Sequence, residues 1–322
     1  MRHALIGFAF LVAGCQSSPP ASPPGPPAPM GSSLSVEIGI PAIAAGVEET
    51  VCTTVQLPNT TDIDVTQLVA VLAPGSHHLI LYRSTETVEA PTPTACMPFE
   101  GIAAGIVPIL IAEKASTTVQ LPTGVAYHFP PNQMVRLEAH YLNASTATIA
   151  GKGTVTLAVA PAGQTYLAAD LMVMGSLKQL SGAGVPPDTQ AFTLDPGFYD
   201  GAGKIDLTAL KLFALTGHEH HLGAEVTVSK STSLTDPGTM LYDDKSWDNP
   251  ELKSFDDAHL LTFAAGEGLR WQCTYDSMDA VPKPTDVTHF GLSAVSNEMC
   301  FVWAYYFPSV GHLIMGADGA FQ

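Results

Sequence analysis

Hydrophobic residues recur along most of this chain in short runs that have the two-residue period of β-strands. The runs are rich in β-branched and aromatic residues, and proline, glycine, asparagine and aspartate separate them. Strands are predicted at 50–57, 67–72, 79–83, 135–141, 154–159, 166–174, 209–215, 224–228, 269–275 and 300–307. Helical periodicity is scarce, and residues 181–189 and 231–258 are predicted to be loops. Many short strands indicate an all-β protein built from antiparallel β-sandwiches.

The chain is long enough for two domains in tandem. Its 322 residues allow two domains of ordinary size, and the break at Pro161-Ala162-Gly163 separates two apolar runs. We therefore expect a first β-sandwich domain at residues 34–161 and a second at residues 162–322. No sequence repeat connects the two halves.

The first fifteen residues resemble a bacterial lipoprotein signal peptide, in which a cysteine becomes lipidated. A short basic start precedes an apolar run, and the small residues Ala13 and Gly14 stand directly before Cys15. An ordinary secretory signal with a chance cysteine is the alternative, but the two small residues favour lipidation of Cys15. Gln16 in place of an aspartate favours the outer membrane.

Residues 16–33 are rich in proline and predict an extended, polyproline-like tether. Together with the signal, they predict an exported lipoprotein of the outer membrane that faces the periplasm or the cell surface. The net charge of −17 disfavours nucleic acid and anionic membrane surfaces as partners, because both would repel the chain. Membrane attachment is therefore predicted through the N-terminal lipid alone.

Five cysteines are present, and the lipoprotein signal accounts for one of them. The other four are Cys52, Cys96, Cys273 and Cys300. An even number in an oxidising compartment indicates two disulfides, for which three connectivities are possible. Pairing within each half of the chain is the simplest of the three.

Two adjacent histidines, His77 and His78, follow the turn residues Pro74-Gly75. Imidazole is the commonest protein ligand of copper and zinc. Neighbouring side chains on a regular strand point to opposite faces, so both rings can reach one ion only where the backbone is irregular. The turn before them can provide that irregularity. A packed or surface pair of histidines is the alternative.

A second histidine group is the string His218-Glu219-His220-His221. On a strand, His218 and His220 share one face, two residues apart, while Glu219 and His221 face away. This spacing suits chelation of a metal from one strand and differs from the helical zinc motif, whose histidines are four residues apart. A polar, exposed strand end is the alternative.

Two further residues gain meaning from their neighbours. His140 lies on a predicted strand, where a lone histidine is usually structural. Met299 stands in the string Glu298-Met299-Cys300, and a methionine is usually core. Alternation separates Met299 from Cys300, so a disulfide can anchor the strand while the thioether projects to the other face. Thioether is a soft ligand that favours Cu(I).

These segments, in this order, resemble the copper type II, ascorbate-dependent monooxygenases over residues 51–308. The family's two copper sites map onto the histidines and the methionine described above. The resemblance implies one copper held by His77, His78 and His140, and a second held by His218, His220 and Met299. It also supports the disulfide pairs Cys52–Cys96 and Cys273–Cys300.

The resemblance also implies a fold and an activity. The family has two jelly-roll-like domains that face a solvent cleft. Its members hydroxylate a C–H bond of a small organic substrate with O2 and a one-electron reductant such as ascorbate. One copper of the two per chain transfers electrons and the other activates O2, which makes His218, His220 and Met299 the catalytic ligands.

Three positions depart from the family's peptidylglycine-hydroxylating members, which hold a substrate carboxylate with arginine, asparagine and tyrosine. The corresponding residues here are Thr216, Phe301 and Trp303. A carboxylate buried against them lacks a partner. We therefore expect these residues to form a substrate pocket for a compound that is apolar or aromatic near its reacting carbon.

Two rival functions are consistent with parts of the pattern. One is a non-catalytic copper-binding lipoprotein that stores the metal or hands it on, but such a protein needs no pair of distinct sites. The other is a two-domain sandwich with structural zinc, against which Met299 argues. The substrate, the natural reductant and the oligomeric state do not follow from the sequence.

Overall fold

β-Strands dominate the computed structural model, which describes residues 31–103, 106–201, 203–311 and 313–316. The all-β fold class is thereby confirmed. The predicted signal peptide with Cys15, and nearly all of the predicted tether, lie outside the described residues. None of the helices in the described part of the chain is long and apolar enough to cross a membrane.

The first half of the chain forms two sheets. One sheet, called sheet A here, has the strand order β1-β10-β3-β8-β11, with β7 also paired to β3. The other, sheet B, has the order β5-β2-β9-β4-β6. The strands are β1 (Ser33–Ile43), β2 (Glu48–Gln56), β3 (Ile63–Val71), β4 (Ser76–Arg83), β5 (Ala90–Ala95), β6 (Val107–Ala112), β7 (Ser116–Gln120), β8 (Val125–Phe129), β9 (Met134–Leu142), β10 (Ile149–Val159) and β11 (Leu167–Ala168).

The second half forms two more sheets. Sheet C has the order β18-β15-β21-β12-β22 with β19 beside β15, and sheet D has the order β13-β20-β16-β17 with β14 beside β20. The strands are β12 (Asp170–Gly175), β13 (Phe192–Thr193), β14 (Gly197–Tyr199), β15 (Lys211–His218), β16 (Gly223–Ser231), β17 (Thr239–Asp244), β18 (Lys253–Ser254), β19 (Leu261–Thr262), β20 (Gly268–Tyr275), β21 (Phe301–Phe307) and β22 (Leu313–Gly316). Short helices occur at α1 (Glu100–Ala103) and α2 (Leu177–Gly182), with a 3-10 turn at Leu207–Ala209.

Sheet membership changes between Ala168 and Asp170, whereas the predicted boundary is at residues 161–163. Strand β11 still pairs with β8 of the first half, and β12 already pairs with β21. Among the described residues, no strand after Ala168 joins a sheet of the first half. The two halves are nevertheless in close contact.

Sheet C lies between the two cores and is buried on both faces. Every residue of β12 and β21 is buried, as expected for strands that read as continuous apolar runs. Phe301, Trp303 and Tyr305 belong to the core that extends into the first half, whereas Val302 and Ala304 belong to the core shared with sheet D. The hydroxyl of Tyr305 accepts a hydrogen bond from the backbone N–H of Ile111 on sheet B (3.1 Å). Sheets B and C therefore face one another.

The predicted strands each lie largely within an observed strand, although the run at 166–174 is divided between β11 and β12. The loop prediction for residues 231–258 is wrong in part, because β17 and β18 cross it. Strand β17 lies at the edge of its sheet and is mostly exposed, so it carries no apolar alternation. The loop predicted at 181–189 starts within α2.

Both predicted disulfides are confirmed. Cys52 of β2 is bonded to Cys96, directly after β5. Cys273 of β20 is bonded to Cys300, directly before β21. The second bond joins the two sheets of the second half at the point where the chain reaches Met299.

Candidate metal centre

A β-bulge at the start of β4 brings His77 and His78 to the same place. Gly75 has a positive φ of 80°, which favours glycine. The pairing of β4 with β9 then skips a residue, since Ser76 pairs with Tyr141 and His78 with His140. His77 is the extra residue of the bulge, and the two imidazole ring centres are 5.4 Å apart. The backbone irregularity that the sequence requires is therefore present.

His140 joins this pair from the neighbouring strand. It lies opposite His78 in the register of β4 and β9, and its Nδ1 is 3.3 Å from His78 Nε2. Its Nε2 is 2.8 Å from the Glu48 carboxylate. Burial alone would raise the pKa of Glu48, but hydrogen bonds from His140, Ser293 and Ala294 lower it below its ordinary value. The ionised carboxylate accepts from the Nε2–H of His140.

His218 and His220 approach the same place from the second half. His218 is the last residue of β15, and the chain leaves the strand before His220. The two rings nevertheless lie 5.2 Å apart. Nδ1 of His218 is hydrogen-bonded to Glu113, and Nδ1 of His220 donates to the Asn297 carbonyl (3.1 Å). Each ring therefore has only Nε2 left to offer, a common arrangement in metal-bound histidines.

The five histidines form one cluster instead of two separated groups. Besides its contact with His78, the ring of His77 lies 5.4 Å from that of His140, 5.2 Å from that of His218 and 5.6 Å from that of His220. None of the five residues is more than 5% exposed. The family resemblance implies a solvent cleft between the two sets, whereas here the two sets are in contact and buried.

The cluster has the electrostatics of a metal site. Burial lowers the pKa of His77, His78 and His220 well below its ordinary value, and charge on the neighbouring rings would lower it further. The rings are therefore neutral, as metal ligands must be. Buried polar atoms are usually hydrogen-bonded. Within the cluster, four buried ring nitrogens have no hydrogen-bond partner among the described residues: His77 Nε2, His78 Nδ1, His218 Nε2 and His220 Nε2. These residues fit a bound copper.

Three carboxylates support the rings, the buried Glu113 and Glu298 and the half-buried Glu48, and two of the three were not predicted from the sequence. Glu113 and Glu48 each stand alone in the sequence, far from the histidines that they hold, so no motif marks them. Glu298 belongs to the Glu-Met-Cys string. It accepts hydrogen bonds from the backbone N–H groups of His220 (3.1 Å) and Leu222 (2.7 Å), and burial raises its pKa to about 8. Glu298 thus fixes the turn that carries His220.

Glu219 lies away from the cluster, as the alternation predicts. Its side chain packs beside Gly223, where an added Cβ would lie 2.5 Å from the Cβ of Glu219. Burial raises the pKa of Glu219 well above its ordinary value, and the nearby Glu298 raises it further. Glu219 is therefore part of the turn's packing.

Phe99 closes one side of the cluster in a strained conformation. Its φ is 57°, a region that bulky residues rarely adopt. Its backbone N–H donates to Glu138 (2.6 Å), which also accepts from Tyr82 (3.0 Å). The Phe99 ring lies 4.7 Å from the ring of His78 and 5.6 Å from that of His218. The strain therefore holds an apolar ring against both histidine sets.

An apolar cavity of about 240 Å³ adjoins the cluster. Met299, Phe99, Phe301 and Trp303 line it together with other apolar side chains. Two residues of the cavity wall, Phe99 and Trp303, also contact the cluster. The Trp303 ring lies 5.6 Å from that of His218. Phe301 and Trp303 are stacked on each other (5.4 Å).

Thr216, the third residue of the predicted pocket, does not line this cavity. Its hydroxyl lies 3.4 Å from that of Tyr242. Among the described residues, no lysine, arginine or histidine lines the cavity, and the one acidic residue there, Glu100, is paired with Arg136 (2.7 Å). The cavity therefore offers no cation to a substrate carboxylate.

Residues 167–314 match the family model described as the copper type II ascorbate-dependent monooxygenase, C-terminal domain. The matched region contains His218, His220 and Met299, whereas His77, His78 and the rest of the first half lie outside it. No curated protein sequence matches the chain.

Several solved structures are similar to the chain only at low TM-scores. The major capsid protein P2 of bacteriophage PM2 has a TM-score of 0.34 at 8% identity, over 85% of this chain and 96% of that one. PBCV-1 VP54, fitted into a reconstruction of the virophage Sputnik, has 0.30 at 9%, over 87% and 94%. Peptide: N-glycanase F has 0.31 at 10%, over 84% and 94%. At these values the similarities carry no conclusion about this chain.

Proposed function

Because the chain belongs to the copper type II ascorbate-dependent monooxygenase family, we propose that it hydroxylates a C–H bond of a small apolar or aromatic substrate. The reaction would consume one O2, two electrons from ascorbate or a similar one-electron reductant, and two protons, and would release one water. The observation that carries this proposal is the buried cluster of five histidines beside an apolar cavity.

The ligand residues are those that the family resemblance implies: His77, His78, His140, His218, His220 and Met299. Copper bound to them would supply the one-electron transfer and the O2 activation that amino-acid side chains cannot.

The surrounding residues keep the ligands ready. Glu113 and the Asn297 carbonyl hold the Nδ1–H of His218 and His220, so that each Nε2 lone pair stays available. Phe99 and Trp303 cover His218 with apolar rings and keep water from it.

The cavity supports a substrate with one aromatic ring and a short side chain. An apolar cavity of about 150 Å³ is large enough to bind benzene, so about 240 Å³ leaves room for a few further atoms. A carboxylate there would lose its water without gaining a partner. A glycine-extended peptide is therefore a poor candidate, and a phenethylamine-like compound is a better one.

Reductant-dependent O2 consumption tests the proposal. We expect the copper-loaded chain to take up O2 with ascorbate and a phenethylamine, to yield a product heavier by one oxygen, and to turn over a glycine-extended peptide more slowly. His218→Ala/His220→Ala is the control without activity. Faster turnover of the peptide would refute the substrate class. Tight copper binding with no product from either compound would favour the alternative, a copper-storage protein.

A further inference from the structure

His77 lies between the two histidine sets and contacts both. Its ring centre is within 5.6 Å of those of His78, His140, His218 and His220. His77, His218 and His220 each offer one ring nitrogen, and these three nitrogens lie within 4.8 Å of one another. All three residues are buried. These three residues come from different halves of the chain.

We propose that His77, His218 and His220 form one metal site that spans the two halves. The proposal rests on the proposed function only for the identity of the metal, copper. In this site the copper that the family resemblance gives to His218 and His220 takes a third nitrogen from the first half.

The other two first-half histidines, His78 and His140, are hydrogen-bonded to each other. The Nε2–H of His140 is directed at the Glu48 carboxylate, so its Nδ1 accepts from His78 Nε2 (3.3 Å). Both ring nitrogens of His140 are therefore used, and His78 offers only Nδ1. His77 Nε2, in contrast, has no partner among the described residues. His78 Nδ1 is also without a partner, but the described histidines whose ring nitrogens lie within 4.8 Å of one another are His77, His218 and His220.

The first half also supplies a support for the same site. Glu113, which directly follows β6, is hydrogen-bonded to His218 Nδ1 and lies 3.4 Å from Trp303 Nε1. Ligand and supporting carboxylate therefore both cross from the first half to the second. Three buried imidazoles, two of which are held through Nδ1, suit copper.

Copper binding in a chain that lacks His78 and His140 but keeps His77 tests the proposal. One equivalent of Cu(II) is added to the full-length variant His78→Ala/His140→Ala. The affinity of this variant for Cu(II) is measured by competition with a chelator. Adding His77→Ala should weaken binding at least about tenfold, because a ligand is lost. Adding His128→Ala, an exposed histidine paired with Asp64, should leave the affinity unchanged.

If the two sets are independent, His77 has no further role once His78 and His140 are gone, and unchanged affinity on adding His77→Ala overturns the proposal. Pulsed EPR with one Cu(II) bound gives a second test, which counts the coordinated imidazoles directly. The spectrum is recorded on His78→Ala/His140→Ala, in which a shared site gives three coordinated imidazoles; two, the number left if the sets are independent, would contradict the shared site.

The hydroxylation assay keeps this result separate from the proposed function. Hydroxylation by a protein that fails the His77 test refutes only the shared site. A shared site in a protein without hydroxylation refutes only the proposed function.

Discussion

Single carboxylates decide how the histidines present their nitrogens. Glu113 and Glu48 are the clearest cases. Glu113 binds Nδ1 of His218 and leaves Nε2 for a metal, and Glu48 binds Nε2 of His140, whose Nδ1 faces His78. Neither was predicted from the sequence, since the residues that they hold lie 105 and 92 positions away in the chain. Four of the five histidines were predicted from adjacent or closely spaced imidazoles in the sequence, and His140 was predicted only through the family resemblance.

Glu113→Gln should weaken copper binding at His218 and His220 by about 10–100-fold, the usual cost of losing a partner behind a metal ligand. The amide keeps the size of the side chain but removes the charge that orients Nδ1–H. Chelator competition measures the effect. Glu37→Gln, an exposed residue paired with Lys152, is the matched control and should bind copper as the unmutated chain does. Equal affinities for all three proteins would contradict this role for Glu113.

Met299→His should retain copper but lose most hydroxylation. Imidazole is a harder donor than thioether and shifts the balance towards Cu(II). Copper content and product formation are measured on the same sample. A fully active variant would show that Met299 only packs against the cavity.

Strand ends, more than strands, build the site. The strand that carries His218 ends there, and His220 reaches its position through a turn that Glu298 holds by two backbone hydrogen bonds. Strand alternation therefore predicted correctly that His218 and His220 lie together, but the turn after β15, and not a continuous strand, brings them together. At β4 the same rule correctly required an irregular backbone, which the glycine turn provides.

Cys300→Ser should lower the free energy of unfolding by about 2–5 kcal/mol, the typical cost of losing a native disulfide. Because Cys300 precedes β21, we also expect a loss of hydroxylation that exceeds the fraction unfolded. Cys52→Ser/Cys96→Ser removes the disulfide of the first half, which does not adjoin β21, and should lower stability with a smaller loss of hydroxylation. Denaturant titration and activity at a temperature where both variants are folded distinguish the two effects.

Across the whole molecule, the fold class and the disulfides follow from periodicity and cysteine count. The contact between sheets B and C does not. A strand buried on both faces reads as a continuous apolar run, and nothing in β21 tells which face meets which half. The merging of the two histidine sets therefore could not be predicted from the sequence.

Two coppers per chain are expected, with unequal affinities. The first copper should bind at His77, His218 and His220, whose free ring nitrogens lie close together. The second copper must break the hydrogen bond between His78 and His140. Metal analysis after dialysis should find two coppers in the unmutated chain. It should find one in His78→Ala/His140→Ala and one in His218→Ala/His220→Ala. A single copper in the unmutated chain, lost in both variants, would contradict two sites.

The buried contact between sheets B and C also limits how the protein can change over generations. Glu113 sits in the first half, yet the histidine and the tryptophan that it serves sit in the second. A gene fusion that exchanged one half for that of a distant relative would inherit a ligand without its support. Substitutions at Glu113, His218 and Trp303 should therefore arise together among related sequences, and the halves should be inherited as a pair.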